Sequence, residues 1–566
     1  MSQDTSGSST VIFDGVVVLS DLQCFELEVD EIQLNHCSLS QDSLESGDTQ
    51  AAISLPPSLI INGGSYRHLR FTGRGVESPL RQLSIQDTSL GDLSIYSAML
   101  TSLKLDNSEF TELSMIDIEV TEEFSLEGSS GEHLSALRFD ASDAVSLWSE
   151  GEWGGIQLHQ VMFHKLVLGL SWVERLEWRD VSVEELTWGV ESVIHQWSVT
   201  DSRVTYPAVE TLEERGAGEV YLREVFFRDT ELDGAIFSQT TITSFARLDR
   251  VTLRDNIFAD TTLEGECRLH DCELLGSRIF YRAKCLNDLT LDGCFIGSDS
   301  ESHMSDVTVE GTLRASALRV ARSLELDGAC LGQAFELNEW SVILSESNKE
   351  VAEREVSYTR PLYQVNLSGV TCSRSLVISS PRLIGDNALV HKQRSVGGVR
   401  LHLNADQLNV SERLDLSRLV SQSAKYGLVG SISLSAQGMN IGVLNTPTLS
   451  KLSHEGGPIS YLSQRSLTGD PQRNIHRMSR VADLYDEYLW ATLIADHSSR
   501  RGAKSEESLY RAQASSLLLK AMSVASPFSS FIAGPVRWFR YSILNGRGGL
   551  CIPKLISKLL IISLIA

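Results

Sequence analysis

Residues 80–120 read LRQLSIQDTSLGDLSIYSAMLTSLKLDNSEFTELSMIDIEV. Every fifth position, from Leu80 to Val120, holds a large apolar residue. A second apolar or small residue precedes each of these by two positions, and it is alternately small and large, as in Ala98 and Leu103. A helix face recurs at three and four residues and a flat strand face at two. A period of five therefore indicates a short strand followed by a corner.

Repeated corners wind a chain into a solenoid, and such a repeat sets the whole fold. The alternation of small and large residues gives a deeper period of ten, which predicts an even number of units in each coil. The pattern returns in residues 220–237 and again in residues 246–279. Single-residue slips near Phe245 and Glu266 predict bulges or longer corners at those points.

Two of the units read AMLTS at residues 98–102 and CELLG at residues 272–276. They resemble the pentapeptide-repeat family, whose units read roughly Ala-(Asp/Asn)-Leu-X-X. The resemblance implies a right-handed β-helix with four units in each coil, although this chain places Leu at alternate small positions. We therefore predict an all-β right-handed β-helix, a pentapeptide-repeat-like solenoid, followed by a small α-helical C-terminal region.

The changes of pattern along the chain predict six segments. They are an N-terminal cap or degenerate coils (1–58), the solenoid (59–345), degenerate coils with insertions (346–450), a linker (451–474), a helical hairpin (475–525) and a basic, aromatic segment that starts an apolar membrane-associated helix (526–566).

The charge is strongly acidic and unevenly distributed. The chain has 49 Lys and Arg against 74 Asp and Glu, a net charge of −25. Residues 471–566 hold 13 basic and 6 acidic residues, so the other 470 residues hold 36 and 68. An acidic solenoid repels phosphate, and we expect no direct binding of nucleic acid. The excess of acidic residues either keeps the surface of the solenoid hydrated or attracts a basic partner.

The nine cysteines indicate structure rather than chemistry. They form no CxxC pair and show no spacing typical of small secreted domains. Cys267, Cys272 and Cys294 occupy small inward positions, where a thiol behaves as a small hydrophobe. The N-terminus lacks the features of a signal peptide, and a reducing cytoplasmic location is the simplest account.

Six of the nine tryptophans lie between residues 148 and 197. Spacing on the repeat favours stacking in the core, and an exposed aromatic stripe for a partner or a sugar is the alternative. The candidate partner-binding aromatics are Trp148, Trp153, Trp178 and Trp188.

Motifs for catalysis are missing from the sequence. It contains no GxSxG, no GxxxxGK[ST] and no HExxH. His159 and His164 lie five residues apart without a carboxylate or cysteine that completes a metal set. We expect no enzymatic activity, no metal and no cofactor. A carbohydrate-active β-helix enzyme, using acids clustered on one wall, is a minor alternative.

The C-terminal part changes to helical periodicity. Residues 481–493 carry one apolar stripe, and Gly502 is placed to cap the helix after Arg500 and Arg501. Ser505 then opens a second helix. From about residue 475 to 566 the order of elements resembles a subset of pentapeptide-repeat proteins. In that subset a helical hairpin and an aromatic-basic segment lead into a membrane part similar to a two-helix ion-channel pore.

The apolar run Leu559–Ala566 has only eight residues, whereas a spanning helix needs about twenty. We expect either a chain cut inside its first membrane helix, an interfacial anchor, or a buried terminal helix. In the first two cases the basic residues of this segment would lie on the cytoplasmic face of the inner membrane, beside anionic lipid. These membrane-proximal residues are Arg537, Arg540, Arg547, Lys554 and Lys558.

The sequence therefore predicts a non-enzymatic scaffold that binds a protein partner of unknown identity and is tethered to a membrane by its C-terminus. It would be the cytoplasmic sensor part of an ion-channel-like protein if the chain is truncated. A soluble acidic rod that mimics DNA toward a nucleic-acid enzyme is the main alternative.

Overall fold

A computed structural model of the 566-residue chain describes most of the repeat region and part of the C-terminal region. The described residues are 10–14, 22–25, 28–35, 58–72, 80–188, 192–206, 220–297, 304–343, 362–384, 399–418, 429–445, 484, 488 and 490–525.

The five-residue period places side chains inside a coil, as predicted. Between residues 83 and 120 the third and fifth residues of every unit are buried, and the other residues, apart from the buried Ser84, are more exposed. The buried set consists of Leu83, Ile85, Thr88, Leu90, Leu93, Ile95, Ala98, Leu100, Leu103, Leu105, Ser108, Phe110, Leu113, Met115, Ile118 and Val120. The third and fifth residues of each unit thus both contribute to one continuous core. Apolar burial of this kind is the main source of stability in such a coil.

The strand register gives the length of one coil. Leu83 pairs with Leu103, and Leu93 pairs with Leu113. In both cases the partner occupies the same place in the fourth repeat unit farther along the chain. Four units of the repeat therefore make one coil, which is the even number that the period of ten requires. Every described pair of strands is parallel, as expected when each coil stacks on the next.

The period of ten also appears in the backbone at the corners. Asp87, Ser97, Asn107 and Asp117 have φ between +50° and +58°, and each lies two residues beyond an inward apolar residue. This left-handed conformation is uncommon outside glycine, and Asp and Asn tolerate it better than most residues. Alternate corners of the coil therefore share one turn geometry, and opposite walls are alike.

The chain forms two compact units, which consist of residues 1–273 with 283–286 and of residues 274–282 with 287–566. The strands as far as residue 285 are β1 (Thr10–Asp14), β2 (Leu22–Phe25), β3 (Glu28–Asn35), β4 (Ser58–Asn62), β5 (Ser65–Thr72), β6 (Leu80–Gln86), β7 (Ser89–Asp106), β8 (Glu109–Ser125), β9 (Ser130–Ser149), β10 (Glu152–Gly169), β11 (Trp172–Trp188), β12 (Ser192–Thr200), β13 (Arg203–Thr205), β14 (Val220–Arg228), β15 (Glu231–Asp233), β16 (Thr240–Asp249), β17 (Thr252–Arg254), β18 (Thr262–Leu263), β19 (Glu266–His270), β20 (Glu273–Leu274) and β21 (Lys284–Cys285). The longest of these include corner residues with a left-handed φ, such as Ser97 in β7 and Asp117 in β8.

The remaining strands are short and also pair in parallel with one another. They are β22 (Leu289–Asp292), β23 (Phe295–Ile296), β24 (Thr308–Val309), β25 (Leu313–Ser316), β26 (Arg319–Val320), β27 (Ser323–Glu325), β28 (Cys330–Leu331), β29 (Ala334–Asn338), β30 (Ser341–Ile343), β31 (Leu362–Asn366), β32 (Thr371–Cys372), β33 (Ser375–Ile378), β34 (Arg382–Ile384), β35 (Val399–Asn404), β36 (Asn409–Asp415), β37 (Val429–Ser435) and β38 (Asn440–Asn445).

A register shift confirms the predicted slip near Phe245. Strand β14 pairs with β16, and the register shifts between Leu222 and Glu224, which face Ile242 and Phe245. Strand β16 therefore has one more residue than β14 at this point, directly before Phe245. The bulge turns the Phe245 side chain away from the core, so this side chain is only half-buried.

Two helices follow the strands and confirm the predicted helical region. The helix α1 covers residues 490–500, with Leu484 and Tyr488 also helical, and α2 covers Lys504–Ala525. Gly502 has φ +73°, and its N–H bonds to the Ser499 carbonyl while the Ala503 N–H bonds to the Ser498 carbonyl. This pair of bonds is the Schellman motif that glycine permits at a helix end.

One face of α1 is buried, including Ala491, Ala495 and Ser498. The Arg500 guanidinium donates a 2.8 Å hydrogen bond to the Met439 carbonyl, which lies just before β38. The helix therefore contacts the last described coil. A helix in this place protects a solenoid end against pairing with other strand edges.

Candidate interaction surface

The core contains most of the tryptophans that the sequence singles out. Trp148, Trp153 and Trp178 are each 1% exposed, so they are not available to a partner at the surface. Trp188 is half-buried, and its indole N–H donates a 2.8 Å hydrogen bond to the Ile236 carbonyl. Of the two interpretations of these residues, the burial favours stacking in the core.

Trp178 and Trp188 both contact Trp197. Its ring lies 5.3 Å from Trp178 and 5.4 Å from Trp188, and it also contacts Phe227 at 5.0 Å and Phe237 at 5.9 Å. The interplanar angles are between 70° and 87°, which is the edge-to-face geometry that aromatic quadrupoles favour. Trp197 thus joins rings from neighbouring coils into one aromatic core.

The membrane-proximal basic residues lie outside the described residues. These are Arg537, Arg540, Arg547, Lys554 and Lys558. Within the helices that the structure describes, no segment is both long enough and apolar enough to cross a bilayer.

The predicted inward cysteines are buried. Cys267, Cys272 and Cys294 are fully enclosed, and Cys285 joins them. Burial raises the pKa of the Cys267 thiol well above its usual range and that of Cys285 to about 12. Since the thiolate is the reactive form, these thiols lack the low pKa and the access that redox and nucleophilic cysteines need.

We therefore expect buried and exposed cysteines to differ sharply in alkylation. When the folded chain is treated with iodoacetamide at pH 8, Cys330, which is exposed, should react, while Cys267 and Cys285 remain unmodified. Mass spectrometry of the digested chain reads each site separately, and the same reaction in guanidinium should modify all three. Modification of Cys285 in the folded chain at the rate of Cys330 would contradict this assignment.

Acidic residues at the corners are partly neutralised by arginines of the next coil. Arg138 makes a two-pronged contact with Asp117, and Arg250 makes another with Asp229 through two 2.6 Å bonds. The hydrogen bonds from these guanidinium groups lower the pKa of both carboxyl groups. Carboxyl groups held ionised in this way do not provide a general acid at neutral pH.

An open groove of about 620 Å³ follows this row of corners in the first unit. Asp180, Asp201, Asp229 and Arg250 line it, together with short hydroxyl side chains. Among the described residues there is no group of three or more His, Cys, Asp and Glu that could hold a metal ion. His164, one of the two spaced histidines, contacts Glu184 at 2.9 Å instead.

A cluster of aromatic side chains lies on the outside of the first unit. It spans β11, β12, β14 and β16, which pair in that order. We name it the aromatic corner, and its members are Trp172, His195, Tyr221, Phe226 and Phe245.

Two of these side chains are exposed, Trp172 at 37% and Tyr221 at 39%. The others are half-buried, and Phe226 meets Phe245 edge-on with ring centroids 4.7 Å apart. Exposed aromatic residues are scarce in a solvated wall and are enriched where proteins bind partners. The aromatic corner is therefore the surface of the described residues best suited to an interaction.

A short chain of polar contacts orients Trp172. Its indole N–H donates a 3.1 Å hydrogen bond to His195 Nε2, and His195 Nδ1 lies 3.5 Å from a carboxylate oxygen of Glu174. An indole nitrogen can only donate, so Nε2 accepts and the imidazole proton of His195 is on Nδ1. In this tautomer the N–H at Nδ1 is directed at the Glu174 carboxylate, so a polar contact links the three side chains.

Sequence reasoning missed Trp172 as a site residue. Its signal is its phase: it directly precedes the inward Val173 and so falls on an outward position of the five-residue unit. Trp178, by contrast, follows the inward Leu176 by two residues and is buried.

Comparison with protein-family models, curated proteins and solved structures found no match to this chain. Its function is therefore inferred from its geometry.

Proposed function

We propose that this chain is a non-enzymatic β-solenoid scaffold that binds a protein partner through the aromatic corner. The observation that carries the proposal is the exposure of Trp172 and Tyr221 on one outward wall. Among the described residues, inward positions take up most of the cysteines and tryptophans, and the paired corner acids are held in ion pairs. The outward wall is left as the place where this molecule meets another.

Site-directed photocrosslinking in cells that express the chain tests this assignment. A photoreactive amino acid replaces Arg175, an exposed residue beside the aromatic corner, or Met162, which is 44% exposed on another wall and serves as the control. We expect a protein adduct of defined mass from position 175 and none from position 162. The double variant Trp172→Ser/Tyr221→Ser should abolish the adduct. Equal adducts at both positions, or an adduct that survives the double variant, would contradict the proposal.

We further propose that residues 526–566 tether the scaffold to a membrane. Support comes from the sequence, since the chain from Ala521 onward carries five basic residues and no acidic one. Basic residues next to an apolar segment favour an anionic membrane surface. In fractionated cells we expect the whole chain in the membrane pellet at low salt and a variant lacking residues 526–566 in the supernatant. Recovery of the whole chain in the supernatant would refute the tether.

A further inference from the structure

Trp172 lies between two exposed carboxylates on the outside of the first unit. Glu152 is its register partner on the preceding coil, and Glu174 lies two residues farther along the same strand. Neither carboxylate makes an ion pair with a lysine or arginine among the described residues. Two unneutralised negative charges therefore lie beside one exposed indole.

The indole is held against the coil that follows it. Its ring lies 5.3 Å from the His195 ring at an interplanar angle of 62°. The hydrogen bond from the indole N–H to His195 holds the ring in this orientation. On the preceding coil the corner consists of Gly154 and Gly155, so it adds no side chain over the indole. A Cβ at Gly154 would lie 2.6 Å from the Glu132 carbonyl, so the close coil contact itself requires glycine there.

This arrangement suits a cation. An ammonium or guanidinium group is attracted to the face of an indole, and carboxylates beside the ring add direct electrostatic attraction. The first unit as a whole also has a net negative charge, because residues 1–273 with 283–286 contain 48 acidic and 18 basic residues. An anionic or strongly apolar partner would not match these charges.

The same outward row offers a second contact for the same partner. Glu152 pairs with Trp172, Val173 pairs with Ile194, and Val193 pairs with Tyr221, so Tyr221 lies two coils beyond Trp172 on the same wall. Successive coils are about 4.8 Å apart, so Trp172 and Tyr221 are about 10 Å apart along the row. A peptide segment of a few residues spans this distance and can contact both rings.

We propose that the aromatic corner binds a lysine-containing basic segment of a protein partner, with a cationic side chain on Trp172 between Glu152 and Glu174. This inference rests on the proposed scaffold function and names the chemistry of its partner. The acidic charge of the unit draws the segment in, and Trp172 fixes its position.

Fluorescence anisotropy with the whole chain tests the inference. The probe is a dye-labelled ten-residue peptide of alternating Lys and Ala, and the same peptide with Glu in place of Lys is the negative control. We expect Trp172→Ser to weaken binding of the lysine peptide about 5- to 30-fold. Trp172→Phe should keep most of the affinity, because it retains an aromatic face. Glu152→Gln and Glu174→Gln should each weaken binding about two- to fivefold.

Glu119→Gln is the matched charge control, since Glu119 is an exposed acid on a different wall. It should leave the dissociation constant for the lysine peptide within about twofold of that of the unmodified chain, because salt screens a charge that is distant from the peptide. Circular dichroism of each variant establishes that the fold is retained. The inference is overturned if Trp172→Ser binds the lysine peptide like the unmodified chain, or if Glu119→Gln weakens binding as much as Glu174→Gln.

The two proposals can fail separately. If position 175 still gives a Trp172-dependent protein adduct but the lysine peptide does not bind, the scaffold function stands and the basic partner is wrong. If the adduct is absent, the scaffold function itself fails at this surface.

Discussion

Replacing Trp197 by alanine is expected to lower the free energy of unfolding by about 3–5 kcal/mol, the usual range for removing a large buried aromatic side chain. Trp197 is fully buried and contacts four other rings from neighbouring coils. The substitution leaves a cavity where these rings meet, and rings held in edge-to-face contacts cannot close it without giving up that geometry.

Denaturation of the whole chain, followed by circular dichroism in the strand region, measures this loss. Hydrogen exchange should localise it, because a solenoid coil depends mainly on its nearest neighbours. The exchange increase should centre on β11, β12 and β14. Trp172→Ala is the matched control, since it removes the same side chain from an outward position, and we expect it to cost less than about 1 kcal/mol. Equal losses from the two variants would contradict the inward assignment of Trp197.

The second large effect is expected from Gly265→Ala. A Cβ at this position would overlap the Ser244 carbonyl group and lie 2.9 Å from the Phe245 nitrogen, all in the backbone of the preceding coil. Gly265 does not have a left-handed φ, so the cost comes from the contact between coils. Relief requires the coils to separate and break parallel ladder bonds. We expect a loss of more than about 4 kcal/mol, which places it among the exceptional single substitutions.

Gly155→Ala provides the comparison for Gly265→Ala. The nearest atom to a Cβ at Gly155 is His133 Nδ1 at 3.3 Å, which belongs to a side chain that can move. The expected cost is below about 1 kcal/mol. Thermal unfolding of both variants and of the unmodified chain ranks their stabilities. A Gly265→Ala chain with the same unfolding temperature as the unmodified chain would show that the coils are not this close.

The sequence predicts the solenoid because the signal is repeated many times. A single unit such as residues 98–102 is ambiguous, but the burial of each inward position repeats the same local geometry. The deeper period of ten has a physical counterpart as well. It marks the corners where Asp87, Ser97, Asn107 and Asp117 adopt the left-handed conformation.

The aromatic corner was harder to predict because it depends on the phase of the repeat. Coils near the tryptophans differ in length. Leu134 pairs with Ile156, and Ile156 pairs with Leu176, so the first of these two coils is longer than the second. Each added residue shifts the frame by one, and a shift of one exchanges an inward position for an outward one. Composition alone therefore could not separate Trp172 from Trp178.

The polar contacts at the site come from pairing between coils. Trp172 and His195 are distant in sequence, and they meet because β11 pairs with β12 in the register that sets Val173 beside Ile194. The Arg250 and Asp229 pair arises in the same way from corners of successive coils. Such contacts follow once the coil length is known at each turn, and a sequence pattern fixes that length only where the repeat is regular.

A single-cysteine scan from residue 171 to residue 180 tests the central claim, that the five-residue frame decides which side chains form the core and which face a partner. Each variant is alkylated in the folded state, and mass spectrometry reads the new cysteine separately from the native ones. We predict fast modification at the exposed positions 171, 172, 174, 175, 179 and 180, and protection at the buried positions 173, 176 and 178. Arg175 and Asp180 are diagnostic, because strict alternation would bury position 175 with position 173, and a helix would bury position 180 with position 173. We predict that cysteines at positions 175 and 180 are modified while a cysteine at position 176 is protected. Protection of the cysteine at position 175 or at position 180 would contradict the account.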